Sequence, residues 1–479
     1  MSLTPPPTPV SVRPLSEPVG QLQLFRALLR NSLEATPAAA YTQPFARRRF
    51  LGRDVVYVSD PELIRQVLVE QESSFVKAAS MQRALVPALG QGLLTAEGAH
   101  WRWQRRAAAP AFRYDRLLSF IPAMLAAAGR TRDRWLILPA GGAVEVAHEM
   151  MQTAYDVIVE TMLSGAPGLD QARIEDGIAA YLGSTPWTVM AGLLGLPGWL
   201  PLPRKRQGRR ARDYVRGALL GIVHQRRWER AGEGAVRPDL LTLLLDAHDP
   251  EDGRAMDDQE IADNLLTCIV AGHETTAVAL TWSLYLLAGH PEVEARVVEE
   301  IGRVTGGGAL GAEHVAALAY TRQVVQEAMR LYPPAPLVAR AAAKDVRLGE
   351  LVIPEGTPTY VPVYAVHRHA ALWRDPDAFN PDRFLPEAVA DRHRYAYLPF
   401  GAGPRICIGA SFAMLEAVAI LATMVQSFRL TMAPGPVPVP RQRITLRPQG
   451  GLRMVVAPRL LNRAGPEEHS AQSRGMPAR

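Results

Sequence analysis

Cysteine is nearly missing from this chain: there are two in 479 residues, Cys268 and Cys407, with no C-x-x-C spacing. Two distant cysteines exclude a disulfide framework and a thiolate zinc site, and point to a reducing, cytoplasmic setting. A large excess of one charge is also lacking. The formal net charge is +6, and no Lys/Arg block is long enough to indicate a nucleic-acid partner. The eleven histidines show no H-E-x-x-H or other metal-ligand spacing. No G-x-G-x-x-G follows a strand, so no nicotinamide or flavin domain is expected, and electrons for any redox chemistry would come from outside. The N-terminus, MSLTPPPTPVSVRPLSEPVG, has no apolar stretch long enough for a signal sequence or a transmembrane anchor.

What is present is ordinary globular material, 48% apolar and 21% charged, enough to bury a large core. Residues 1–18 are proline-rich and residues 462–479 polar, so both read as mobile tails around a folded body at 19–461. From about 60 to 335 apolar residues recur at helical spacing, as in DPELIRQVLVEQ and YTRQVVQEAMRLY. Strand-like pieces are few: RDVVYVS, VRLGELVIPEGTPTYVPVYAV and LRMVVA. The expected fold is mainly α, a single domain with a minor β region. The longest pattern runs from Asp258 to about Ala288, opened by a capping box at Asp257 and Glu260 and stopped at Gly289-His290-Pro291. Asp263, Asn264, His273 and Glu274 interrupt it, which argues for a buried central helix rather than a membrane span.

One stretch asks for a chemical reason. FGAGPRICIG, residues 400–409, sets Cys407 in a loop with three glycines and a proline. Glycines let a backbone wind closely around a sulfur and aim amides at it, while Arg405 supplies a cation two residues away. Taken alone, such a cysteine is as readily structural as reactive. Phe400, Gly401, Gly403, Arg405, Cys407 and Gly409 fit F-G-x-G-x-R-x-C-x-G, which resembles the haem-binding loop of the cytochrome P450 family, soluble bacterial type, at every defining position. The following apolar helix starts on small residues that allow close approach to a flat cofactor.

The resemblance extends over roughly residues 40–458. EAMR holds Glu327 and Arg330, an E-x-x-R pair that alone is a common surface ion pair. FNPDRF, residues 379–384, looks like the family's F-x-P-E-R-F with Asp382 for glutamate, so that Arg383 would join the pair in a buried triad. EGAHWRWQRR resembles the W-x-x-x-R helix. Trp101 and Arg105 share a face and could reach one haem propionate, though an amphipathic surface helix is the bland alternative. Arg340, after PPAPLVA, is a third candidate propionate partner. AGHETT, residues 271–276, matches A-G-x-E/D-T-T at the middle of the long helix. There Ala271 and Gly272 would leave room for dioxygen, Thr275 would hydrogen-bond the ligand or a water, and Glu274 would be the proton source. A small-residue helix crossing would explain Ala271 and Gly272 but not the acid and two threonines. Cys268 reads as a buried small hydrophobe.

The family implied is a haem-thiolate monooxygenase with haem b (iron protoporphyrin IX) on Cys407, acting as a monomer. It would activate O2 with two electrons from a ferredoxin and its reductase, or from a flavoprotein, to hydroxylate or epoxidise a lipophilic substrate such as a fatty acid or terpenoid. A haem-thiolate isomerase or peroxide-driven enzyme would not need the acid–threonine pair, and a haem gas sensor would need an output domain. Segments after residue 74, from 181 and from 333 would line an apolar pocket, with Lys77 or Arg83 available to anchor a carboxylate. Arg102 and Arg106 lie on another face of the Trp101 helix and could steer an acidic electron donor. PRKRQGRRAR, residues 203–212, reads as the exposed start of a helix, with a membrane-surface patch as the sharper alternative.

Overall fold

Helix Asp258–Gly289 begins where the capping box places it: the Asp257 carboxylate accepts from Glu260 N and the Glu260 carboxylate from Asp257 N. Its 32 residues span about 48 Å at 1.5 Å per residue. The structure, a computed structural model, describes residues 8–165, 205–232, 239–249 and 251–459. The long helix is buried almost all round because helices Val146–Leu163, Lys205–Ala231, Ala319–Leu331 and Ala410–Ser427 pack against it. Its interrupting polar residues are paired, as burial requires. Asp263 takes the Arg216 guanidinium and Gln91 N (2.8 Å), and Asn264 is bound to Gln104 Oε1 and Leu93 N at 3.0 Å each.

Helix Ala410–Ser427 is long and apolar enough to cross a bilayer, yet most of it lies buried in this core. The minor β region is a five-stranded sheet in the order Phe45–Phe50, Arg53–Val58, Pro358–Val361, Val338–Ala342, Phe75–Lys77. Its register sets Lys77 opposite Arg340. A three-stranded sheet joins Ala143–Glu145, Arg453–Pro458 and Phe428–Met432. A C-terminal hairpin pairs Val439–Gln442 with Leu446–Gln449, and Trp282 of the long helix pins it by donating to Leu446 O at 2.7 Å.

The expectation of a mobile tail over 1–18 is corrected for residues 8–18, which lie on the body. Val12 is buried and donates to Tyr364 Oη at 3.0 Å, while Tyr332 Oη donates to Val10 O at 2.9 Å. Extended proline-rich backbone keeps free N–H and C=O groups, and buried tyrosines supply partners for them. The C-terminal tail at 462–479 lies outside the described residues, as does the pocket segment from 181. The basic stretch is helical from Lys205. Arg212 there donates to Pro87 O, which fits a helix start over a neighbouring element.

Candidate active site

The cysteine loop is a tight turn closed by Cys407 N donating to Phe400 O at 2.9 Å. Gly401 and Gly403 adopt φ of 72° and 70°, open to glycine without strain. A side chain on Gly403 would also collide with Leu68 O, so the loop and the Gln66–Glu70 turn meet backbone to backbone. Cys407 is accessible to solvent yet has protein on most sides. Burial pushes its thiol pKa up, while the Gly409 N–H and the Arg105 charge pull it down. Gly409 caps helix Ala410–Ser427, so that helix starts beside the sulfur.

Behind the loop stands the predicted triad. Glu327 and Arg330 are fully buried and bonded at 2.7 and 2.8 Å, and Arg383 reaches Glu327 Oε1 at 3.4 Å. Arg330 also donates to the His367, Pro376 and Ala378 carbonyls. His367 in turn accepts from Leu398 N at 2.8 Å, next to the loop. Burial holds the His367 imidazole neutral, its pKa pushed down to about 3, which keeps that ring nitrogen an acceptor. Asp382, the departure from the motif, pairs outward with Arg296 at 2.8 Å.

Trp101, Arg340 and Arg405 lie together, and Arg105, one turn beyond Trp101, lies near Cys407. Arg405 stacks on the Trp101 ring at 3.9 Å, donates to Ala96 O at 2.9 Å and faces Glu72 at 3.4 Å. Among the described residues the Arg340 side chain bonds only its neighbour's carbonyl, Ala339 O, and burial followed by the Arg405 charge lowers its pKa. Burial also lowers that of Arg105. Among the described residues no carboxylate makes an ion pair with Arg105 or Arg340. Lys77 joins this group as a fifth member. It sits beside Arg340 and donates to Leu94 O and Ala96 O at 2.6 and 2.9 Å, and burial then Arg405 push its pKa down to about 7. Crowded, desolvated cations call for anions. Two carboxylates of a flat cofactor held by Cys407 would meet that demand, so the residues present fit a haem.

The long helix carries the AGHETT segment. Thr275 Oγ1 donates to Ala271 O at 2.7 Å, loading the helical ladder there. A methyl on Gly272 would lie 2.7 Å from Ile158 Cδ1 of helix Val146–Leu163, so this glycine also eases the crossing of the two helices. Glu274 is buried and takes Arg447 Nε at 2.9 Å, Arg447 Nη2 at 2.6 Å and the Thr445 hydroxyl, all on Oε1. Thr276 donates to Glu416 on helix Ala410–Ser427. Thr445, Arg447 and Glu416 were missed as site residues. Glu416 alone left a signal, as the one acid in a long apolar run. Cys268 is packed against the core, its thiol pKa pushed up to about 12 by burial. Arg106 is not a free docking cation, because it pairs with buried Asp249 at 2.9 Å; Arg102 is exposed.

An α-rich fold holding one thiol beside a cationic cradle and under a threonine-bearing helix defines a haem-thiolate enzyme. The family model of Cytochrome P450 matches residues 19–454. Cyclooctatin synthase of Streptomyces melanosporofaciens is 35% identical, the match covering 85% of this chain and 88% of that protein. Cyclooctat-9-en-7-ol 5-monooxygenase of the same organism is 34% identical over 80% and 82%. A cytokinin hydroxylase of Arabidopsis thaliana is 33% identical over 84% and 78%. The crystal structure of cytochrome P450DA heme domain superposes with a TM-score of 0.79 at 26% identity, covering 92% of this chain and 94% of that one. The chain belongs to the cytochrome P450 family. It is a haem-thiolate monooxygenase, using haem iron, O2, an external electron donor and a lipophilic substrate.

Proposed function

We propose that this single-domain enzyme, its body at 19–461, hydroxylates a neutral lipophilic molecule such as a terpenoid, in the cytoplasm and as a monomer. Its cofactor is haem b, the form that the resemblance to the family implies. The observation that carries the reading is Cys407 on its glycine loop near Arg105, with Arg105 and Arg340 making no ion pair to a carboxylate among the described residues. Two points favour a neutral substrate over a fatty acid. Lys77 is committed to carbonyls and the cationic cluster, and Arg83 is exposed and bonds its own helix at Ala79 O. Named relatives support it too: one acts on cyclooctat-9-en-7-ol, an alcohol without a carboxyl group.

When bound, the haem supplies oxygen activation, which a thiolate ligand favours by pushing electron density onto iron. In this reading Cys407 is the ligand, and Gly409 N–H with Arg105 steadies its negative charge. Phe400, at the start of the loop, packs against the core, and Trp101, Arg105, Arg340, Arg405 and Lys77 hold the carboxylates. Ala271 leaves the helix surface low, Thr275 orients a water, and Glu274 provides a proton. Exposed Arg102 helps to receive a ferredoxin with its reductase, or a flavoprotein. Optical titration with matched terpenoid alcohols and fatty acids checks the substrate class: tighter binding of the neutral ligands is expected, and preferential binding of the carboxylates contradicts it.

A further inference from the structure

We infer that the C-terminal hairpin is the proton entrance of this enzyme, with Arg447 and Thr445 as positioning residues that hold Glu274 at the path's inner end. The inference rests on the proton role given to Glu274 above. A buried acid that gives up a proton in each cycle must regain one from water, so some polar route has to reach it.

The contacts of Glu274 mark that route. All three fall on Oε1, and all come from residues 171 to 173 positions downstream. Thr445 is buried, whereas the Arg447 side chain is 47% exposed, so charged and hydroxyl groups run from solvent to a carboxyl that is itself buried. Oε2 takes none of these contacts and is the oxygen left to exchange a proton.

The hairpin is fixed in place for this task. Between the two residues, Leu446 donates to Pro334 O at 3.1 Å and accepts from Trp282 at 2.7 Å. Arg447 stands opposite Arg441 in the register, and like charges in that position repel, which favours turning Arg447 onto the acid.

Other groups near the segment are committed elsewhere. Arg216 of helix Lys205–Ala231 is paired with Asp263, three turns before Glu274. Glu416, from helix Ala410–Ser427, meets Thr276 rather than Glu274. His273 turns Nδ1 to Ile269 O and sets its ring edge against Tyr155 of helix Val146–Leu163. Among these groups, Arg447 is the partner of Glu274 that is also open to water.

The overall reaction, R–H + O2 + two electrons + two protons giving R–OH + water, takes its electrons from the external carrier protein. Glu274 passes a proton toward the water at Thr275 and is left as carboxylate; water at the hairpin mouth returns one. A guanidinium does not give up its own proton, so Arg447 acts by holding and releasing the carboxylate.

The test uses the holoenzyme with variants Glu274→Gln, Arg447→Met, Arg447→Lys and Thr445→Val. Arg447→Met is expected to raise the share of reductant lost to hydrogen peroxide severalfold and to shift the pH profile of coupling, with Arg447→Lys restoring most of both. Unfolding of the resting protein should show non-additive effects of Glu274→Gln and Arg447→Met. Should Arg447→Met fold poorly, Thr445→Val serves in its place with the same expected shift. If Glu274→Gln alters coupling while the hairpin variants keep the wild-type pH profile, the inference is overturned and the proton role stands. If Glu274→Gln itself changes nothing, the proton role falls and the inference with it.

Discussion

Thr276 Oγ1 donates a 3.0 Å hydrogen bond to Glu416 Oε2, joining the long helix to the helix that follows the cysteine loop. Glu416 Oε1 finds no partner among the described residues. Burial, opposed only by Thr276, raises the Glu416 pKa from 4.5 to about 8.

A stability dependence on pH follows. Between about 4.5 and 8 the unfolded chain releases the Glu416 proton while the folded protein keeps it, so folding stability falls as pH rises through that window. The slope from this group approaches about 1.4 kcal/mol per pH unit at most. Glu416→Gln should remove it, leaving the variant more stable relative to wild type at pH 8 than at pH 5. Denaturant unfolding at the two pH values decides; an unchanged difference contradicts a neutral buried Glu416.

Gly272 offers a separate test of packing against ligand space. Gly272→Ala gains about 1 kcal/mol of helix propensity but forces its methyl onto Ile158. Ile158→Val, which alone should cost about 0.5–1.5 kcal/mol, should cost little or nothing in the Gly272→Ala background. Additive unfolding energies would return Gly272 to the role of making room for a ligand.

The cationic cluster predicts opposite effects on the protein with and without cofactor. Arg340→Met removes a desolvated like charge beside Arg405, so haem-free protein should hold or gain stability. The haem-bound form loses a charge-assisted hydrogen bond worth roughly 1.5–3 kcal/mol, so haem should leave about tenfold faster or more. Transfer of haem to an acceptor protein measures the rate. Unchanged transfer would place the cofactor carboxylates elsewhere.

The contrast between these residues explains what the sequence could reveal. The cysteine loop, the E-x-x-R pair and the capping box are local patterns, in which the spacing already dictates which side chains meet. Glu416–Thr276 and Glu274–Arg447 join residues 140 and 173 apart, and no local spacing predicts which strand will lie over which helix. Lys77 read as a pocket residue because its strand partner, Arg340, is fixed only by sheet register. The packing of Gly272 against Ile158 was not legible either, because that partner lies on another helix. The segment 8–18 read as a tail because proline-rich composition says nothing of the buried tyrosines awaiting its backbone.

The central claim is that Cys407 ligates the haem as a thiolate. The ferrous carbon monoxide difference spectrum of the folded, haem-loaded protein tests it most directly. The account predicts the red-shifted Soret band of thiolate ligation in wild type and its loss in Cys407→Ser, with Cys268→Ser unchanged. Absence of that band in correctly folded wild type, or its survival in Cys407→Ser, would contradict the account.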